Sequence, residues 1–468
     1  MTLPVILISA IVACMVLFPN RFNVPFAFDF DGHEIFPTDW ILVVALLALW
    51  MCRRVEGEGH PEACSRAKLA PIYLALFGFG CLSTLAASAD EADPVRGLVV
   101  LLSIAVWMLP LLLIPSLGLT RREIRNILIF FAVLAALGAA FSSSLTFLAR
   151  HIFPFFGWHY RVVATDSEYR GFLPLGVATV IGGYYNLVFP LAFAMVVRPG
   201  GFWRRLIAVG AVVALGAGAL FTGSRSAALL VILSAGVCAF WLRWPGKLRV
   251  IPTVSLALLA ILFVYSISHL NFERLGTLKD GSTRWRARGY EVGFEMIVAS
   301  PLIGHGVETH FRRGEEGTFR SFFASTRPHQ AIRYGGRVAP YEPHNMYVLL
   351  TAELGLVGLT LYALLLGSVA RRLYRAQKLA ATHEDRLFAR AFFISVGVVA
   401  LHAMFESDIW RFGRLAPLVW VYIGLGLALG EHILRDSLKV ARQPSPSGQG
   451  SHSASGDGWL AAPELPKV

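Results

Sequence analysis

Charge is scarce in this sequence: Asp, Glu, Lys and Arg make up 15% of its 468 residues, against 56% for the apolar types. A soluble globule carries about a quarter of its residues as charges, so that class is excluded. Cysteine is sparse too, with five in the chain. Cys14, Cys81 and Cys238 fall inside apolar runs, and Cys52 and Cys64 flank a basic loop at a separation that matches no zinc pattern. Neither a disulfide framework nor a Cys/His metal cluster is therefore expected to organise the fold. No Gly-rich loop ending in Lys-Ser/Thr is present to hold ATP. Clearly charged positions within the apolar runs are few, Glu353 being the exception, whereas transporters and pumps place ionisable groups at the midplane. Asp29-Phe30-Asp31 has the form of a metal-binding pair, at a spacing common by chance.

What is abundant is apolar run length. Spans are expected near 3–19, 38–52, 69–88, 97–118, 126–149, 172–197, 205–222, 226–242, 250–268, 346–370, 387–405 and 415–434. About twenty residues at ~1.5 Å each cross the hydrocarbon, so the sequence predicts an all-α polytopic membrane protein with about 12 transmembrane helices. The first span has no basic n-region and no small-residue cleavage site, and is expected to be an uncleaved anchor. Basic residues then orient the chain. Arg53, Arg54, Arg66 and Lys68; Arg121, Arg122 and Arg125; Arg198, Arg204 and Arg205; Arg243, Lys247 and Arg249; Arg371, Arg372, Arg375 and Lys378; and Arg435, Lys439 and Arg442 stand in alternate connections. The positive-inside rule makes these loops and both termini cytoplasmic, which accounts for the formal charge of +12 without nucleic acid. Three regions follow: helices of the first half over 1–149, a second membrane region over 150–434, which holds the candidate site residues and one large outward loop at 269–345, and a Ser/Gly/Pro-rich disordered cytoplasmic tail over 435–468.

The outward loops break the rule that orients the rest. Segment 269–345 holds ten Arg and one Lys among eight acidic residues, and guanidinium suits a bidentate grip on phosphate. Arg284, Arg286 and Arg288 crowd into one stretch, and six more follow from Arg312 to Arg337. About a third of the ten are expected to be functional, the rest solvated or ion-paired. Arg225 stands in the short turn Thr222-Gly223-Ser224-Arg225-Ser226-Ala227, where Ser224 can cap the next helix, so backbone donors, dipole and guanidinium converge as an anion site. An arginine snorkelling to lipid headgroups is the alternative. Loop 150–171 interleaves aromatics with basic residues and reads as an interfacial segment, with Arg170 pointing into the site. Finally, Tyr341-Glu342-Pro343-His344-Asn345 ends the longest polar segment and opens an apolar helix. The positive helix end disfavours imidazolium and leaves His344 as a candidate general base, with Glu342 placed to orient it; a plain helix-end histidine is the bland reading.

His344-Asn345, nine residues, then Gly355-Leu356-Val357-Gly358 resembles the His-Asn…Gly-x-x-Gly signature of bacterial O-antigen ligases and the related O-antigen and exopolysaccharide polymerases. Gly223 to Ala227 with Leu229 resembles that family's Arg-x-x-x-Leu element, and Arg286 to Gly306, with Pro301-Leu302-Ile303-Gly304, resembles its Arg…Trp…Pro-Leu-Leu-Gly-x-Gly block. Tyr290 stands where the family usually has Trp, and Val177-Ala178 stand where Pro-Asn commonly follows the arginine corresponding to Arg170.

The resemblance implies a GT-C-like membrane glycosyltransferase of the bacterial inner membrane. It would move a glycan from undecaprenyl diphosphate to an acceptor hydroxyl, either a lipid A core sugar or another carrier-linked glycan, at the periplasmic face with inversion and without metal or other cofactor. Ligase and polymerase share this chemistry. In that reading His344, Arg225 and Arg286 are catalytic, with Arg170, Arg284, Arg288, Asn345 and Glu342 binding substrate. A polysaccharide-lipid flippase is the rival from another class; it calls for two related halves, and the basic content of 269–345 has no counterpart in the first half.

Overall fold

The structure is a computed structural model, and it describes residues 2–17, 28–30, 33–35, 44–52, 64–87, 94–147, 178–222, 224–242, 281–307, 333–334, 337–338, 343–407, 409–410 and 415–442. In chain order the helices are α1 (Leu3–Leu17), α2 (44–52), α3 (Cys64–Ala87), α4 (Pro94–Met108), α5 (Pro110–Ser116), α6 (Arg121–Phe147), α7 (Ala178–Val197), α8 (Phe202–Phe221), α9 (Arg225–Trp241), α10 (Gly281–Ala299), α11 (Met346–Leu379), α12 (His383–His402) and α13 (Ala416–Arg442). Two small antiparallel hairpins, Phe28–Phe30 with His33–Ile35 and Arg333–Tyr334 with Arg337–Val338, leave the all-α class unchanged.

Every expected span but one coincides with a helix; 250–268 lies outside the described residues. Among the described residues, 7 helices are long and apolar enough to cross a membrane. Some expected spans fall short of that standard for local reasons. Helix α12 opens with His383, Glu384, Asp385 and Arg386, which shortens its apolar stretch, and α9 is 17 residues long. In hydrocarbon a helix is favoured because it pairs every backbone group within the segment.

Helix α7 is the axis of the bundle, its span Thr179–Val197 almost wholly buried among α6, α8, α9 and α12. Helices α3, α12 and α13 surround α11 in turn. At one end of the bundle, Arg121 pairs with Asp385 at 2.9 Å and with Asp436, while Glu384 receives Arg125 at 2.8 Å and Arg198 at 3.1 Å. The expected cytoplasmic basic residues therefore gather with acidic partners at one end, joining α6, α7, α12 and α13. A network of shared partners holds better than isolated surface pairs.

Two features of the 269–345 segment differ from the sequence expectation. Helix α10 was not expected, because its Arg-rich start hides the apolar residues that follow; it packs on α11. The sequence reading has Gly355 and Gly358 only as the end of a motif within one continuous apolar span. Instead Gly355 adopts φ 64 and ψ −173 and breaks α11 in two. The turn after α10 fills the break. Leu356 N–H donates to Pro301 O at 2.8 Å and Val357 N–H to Leu302 O at 3.4 Å, while His305 N–H reaches Ala352 O at 3.1 Å and Gly306 N–H reaches Glu353 O at 2.9 Å. From α3, Ser83 Oγ donates to Ile303 O at 2.8 Å and to Glu353 O at 3.1 Å. The broken helix thus leaves those backbone groups paired, where each orphan in a membrane costs several kcal/mol.

Candidate active site

Helix α11 begins at the bundle end opposite the ion pairs. Asn345 is its N-cap, its Oδ1 accepting from Tyr347 N–H at 2.9 Å and Val348 N–H at 3.2 Å. Its Nδ2 lies 3.4 Å from Tyr290 Oη on α10. Asn345, expected to bind substrate, is thereby occupied in holding the helix start. Just before it, His344 takes φ 44, the one positive φ outside glycine among the described residues. Such a conformation is uncommon for any L residue, and strained backbone of this kind persists only where its surroundings hold it. Here they do: Met346 N–H donates to Ala403 O at 2.8 Å, and Tyr347 Oη donates to Ala400 O at 2.8 Å, fastening α11 to the end of α12.

The residue that faces His344 is Glu406. Its side chain is 2% exposed and divides its two oxygens, with His344 Nδ1 on Oε2 at 3.1 Å and Arg286 Nη2 on Oε1 at 2.7 Å. Burial raises the affinity of this carboxyl for its proton, but the hydrogen bond from His344 and the Arg286 guanidinium outweigh it and hold Glu406 below the ordinary carboxylate range. An ionised carboxylate can only accept, so Nδ1 carries the hydrogen and Nε2 is the ring atom left for a proton. Arg286 also reaches Phe405 O at 3.4 Å. It retains further N–H groups and is a third exposed.

Four residues before Glu406, His402 is fully buried, and both ring nitrogens lack a hydrogen-bond partner among the described residues. It packs on α7 at Gly183, where an added Cβ would lie 2.9 Å from its Nε2. The preceding glycine, Gly182, meets the other half of the site: a Cβ there would lie 2.4 Å from Ala227 Cβ. Two adjacent positions of one helix therefore touch both the Arg225 turn and the His402–Glu406 end, which puts Ala227 Cβ and His402 Nε2 less than about 12 Å apart. The turn is stiff. Ser224 caps α9 by accepting from Ala227 N–H at 3.3 Å, and Asn186 of α7 donates to Ala227 O at 3.1 Å. Arg225 stands exposed in the first turn of α9.

His344, Arg286 and the Arg225 turn thus share one end of the bundle. Arg284 and Arg288 lie on α10 and are described by backbone alone; Arg170 and Glu342 lie outside the described residues. Glu406 holds the position at Nδ1 that the sequence reading offered to Glu342. It went unread because it sits alone in a short connection, although the His402-x-x-x-Glu406 spacing at a helix end was a usable signal.

Residues 210–363 match the protein family described as O-antigen ligase. The resemblance seen in the sequence is real. Over this stretch, a third of its length, the chain is similar to O-antigen ligases. The stretch contains Arg225, Arg286, His344 and Gly355, but ends before His402 and Glu406. The carboxylate that holds His344 is thus supplied from beyond the matched residues. No curated protein matches the chain. Among solved structures, a chain reported under "Structural coordination of polymerization and crosslinking by a peptidoglycan synthase complex" is similar at 19% identity, with 79% of this chain and 97% of that chain covered and a TM-score of 0.39.

Proposed function

We propose that the chain is a membrane glycosyltransferase that moves a glycan from undecaprenyl diphosphate to an acceptor hydroxyl, working as an O-antigen ligase on the outward face of the bacterial inner membrane. The observation that carries this reading is the chain of contacts Arg286–Glu406–His344. Glu406 orients the imidazole, Nε2 takes the proton of the attacking hydroxyl, and the hydroxyl displaces the diphosphate at the anomeric carbon with inversion. Positioned proton removal contributes about 10²–10⁴-fold. The departing diphosphate gains negative charge, and Arg225 with the unused donors of Arg286 stabilises it as an oxyanion site does. Arg170, Arg284 and Arg288 are further candidates for the diphosphate and the acceptor. The positive-inside rule supports the outward placement, because the site lies at the end opposite Arg121, Arg125 and Arg198.

A transporter reading draws on the broken α11 and buried Glu353. Transporters, however, open such breaks onto a cavity, whereas here Ala352 O and Glu353 O are taken by His305 and Gly306. Purified protein, labelled carrier-linked glycan and acceptor decide the matter, since only an enzyme forms a new glycosidic bond unaided. His344→Ala and Arg225→Ala are expected to abolish transfer at normal protein levels; transfer at the wild-type rate by either overturns its role. In cells lacking the protein, accumulation of long carrier-linked polymer identifies a ligase, and accumulation of single repeats identifies a polymerase.

A further inference from the structure

We propose that the last turn of α10 and the turn after it form a re-entrant element immersed among the acyl chains of the outer leaflet. This rests on the membrane reading of the fold and not on the glycan chemistry. Two helices set the height of the turn above the basic end, where Arg371 and Lys68 are taken to mark the near boundary of the hydrocarbon. On α11 the turn fills the break at Gly355, which lies 16 residues above Arg371 at the basic end. At ~1.5 Å per residue that is about 24 Å. On α3 it is held by Ser83, which is 15 residues above Lys68, or about 22 Å. The two rulers agree. In a hydrocarbon layer about 30 Å thick, Leu302 and Ile303 then stand roughly 6–8 Å inside the far boundary.

Their exposure fits lipid and not water. Leu302 is 61% exposed, Ile303 49% and Val298 79%. A soluble surface avoids a contiguous patch of this kind, and the stretch Met296-Ile297-Val298-Ala299-Ser300-Pro301-Leu302-Ile303-Gly304 contains no ionisable residue. Helix α10 climbs from this depth alongside the first half of α11, with Met296 packed at Ala352 and Gly293 at Val348. Its carboxylates, Glu291 and Glu295, come only at or above the boundary. Arg286, Tyr290, Phe294 and Val298 follow at four-residue intervals and form one winding ridge from the candidate site down to the acyl region. A lipid headgroup arriving from the side meets Arg286 at the top of that ridge.

The test uses the wild-type chain in vesicles of phosphatidylethanolamine and phosphatidylglycerol, doped with a phosphatidylcholine that bears a diazirine at mid-chain. After irradiation, tagged residues are located by peptide mass spectrometry, with Leu137 and Phe141, exposed on the α6 span, as the lipid-facing standard. Val298, Leu302 and Ile303 are expected to be tagged as strongly as that standard, and to escape a water-soluble diazirine that tags the Glu291 peptide. Tagging by the water-soluble reagent, or no tagging by the lipid while Leu137 and Phe141 react, overturns the proposal. Loss of transferase activity in any assay leaves this readout untouched.

Discussion

His344 combines two things that its neighbours must maintain, a left-handed backbone and a carboxylate on Nδ1. Asparagine tolerates that backbone and cannot accept a proton, so His344→Asn is the variant that separates fold from chemistry. It is expected to reach the membrane, to melt only modestly below the wild type because Arg286 still pairs with Glu406, and to lose transfer by ~10²-fold or more; wild-type turnover in purified His344→Asn would remove the histidine from the mechanism. Glu406→Gln keeps the volume but offers an amide that can present its NH₂ to Nδ1 and reverse the tautomer. A drop of roughly 10²–10⁴-fold in turnover is expected, measured against unchanged protein level. The same residue sets a pH dependence of stability. Because Glu406 in the fold holds its proton less tightly than an ordinary carboxyl, its ionised contacts stabilise the protein above the ordinary carboxylate range. That contribution is lost as pH falls through the lowered folded value. Melting in detergent should therefore shift downward on acidification below about pH 5, and Glu406→Gln should flatten that part of the curve.

At the scale of elements, the apolar runs were legible because a twenty-residue apolar stretch has one structural solution in lipid. The ends of α6, α8 and α9 fall within a few residues of the expected spans for that reason. Helix α10 was not legible, since three arginines at its start make the whole segment look like an outer loop. The break in α11 was hidden too. Gly355 lies within the expected span 346–370, and only its partners Leu302 and Gly304, about fifty residues away, show what it does. An added Cβ at Gly355 would lie 2.2 Å from Leu302 O, at a backbone φ of 64. Gly355→Ala is thus expected to destabilise by about 2–5 kcal/mol through combined backbone strain and overpacking. Reduced yield of monodisperse protein and a lower melting temperature report it, with Gly367→Ala on the open side of the same helix as the neutral control. The candidate site was half legible: motifs announced Arg225, Arg286 and His344, whereas Glu406 belongs to no motif and is joined to them only by folding.

For the molecule as a whole, the segregation of ion pairs to one end and of the candidate site to the other is a statement about sidedness. If the basic end is cytoplasmic, a fluorescent protein fused after Arg442 glows and alkaline phosphatase fused there is inactive; active phosphatase would invert the molecule and place His344 on the wrong side for the proposed donor.

Gly182 and Gly183 lack the two methyl groups that any other residue would have placed between the Arg225 turn and the Glu406 end. The pair works as a calliper gauge: α7 is thin at this one height, and that thinness sets how far the turn at Ala227 stands from His402. A larger side chain at either position, on a helix that contributes no charged residue of its own, would push the two sides apart, so positions 182 and 183 bear on the shape of the proposed site as directly as its charged residues do.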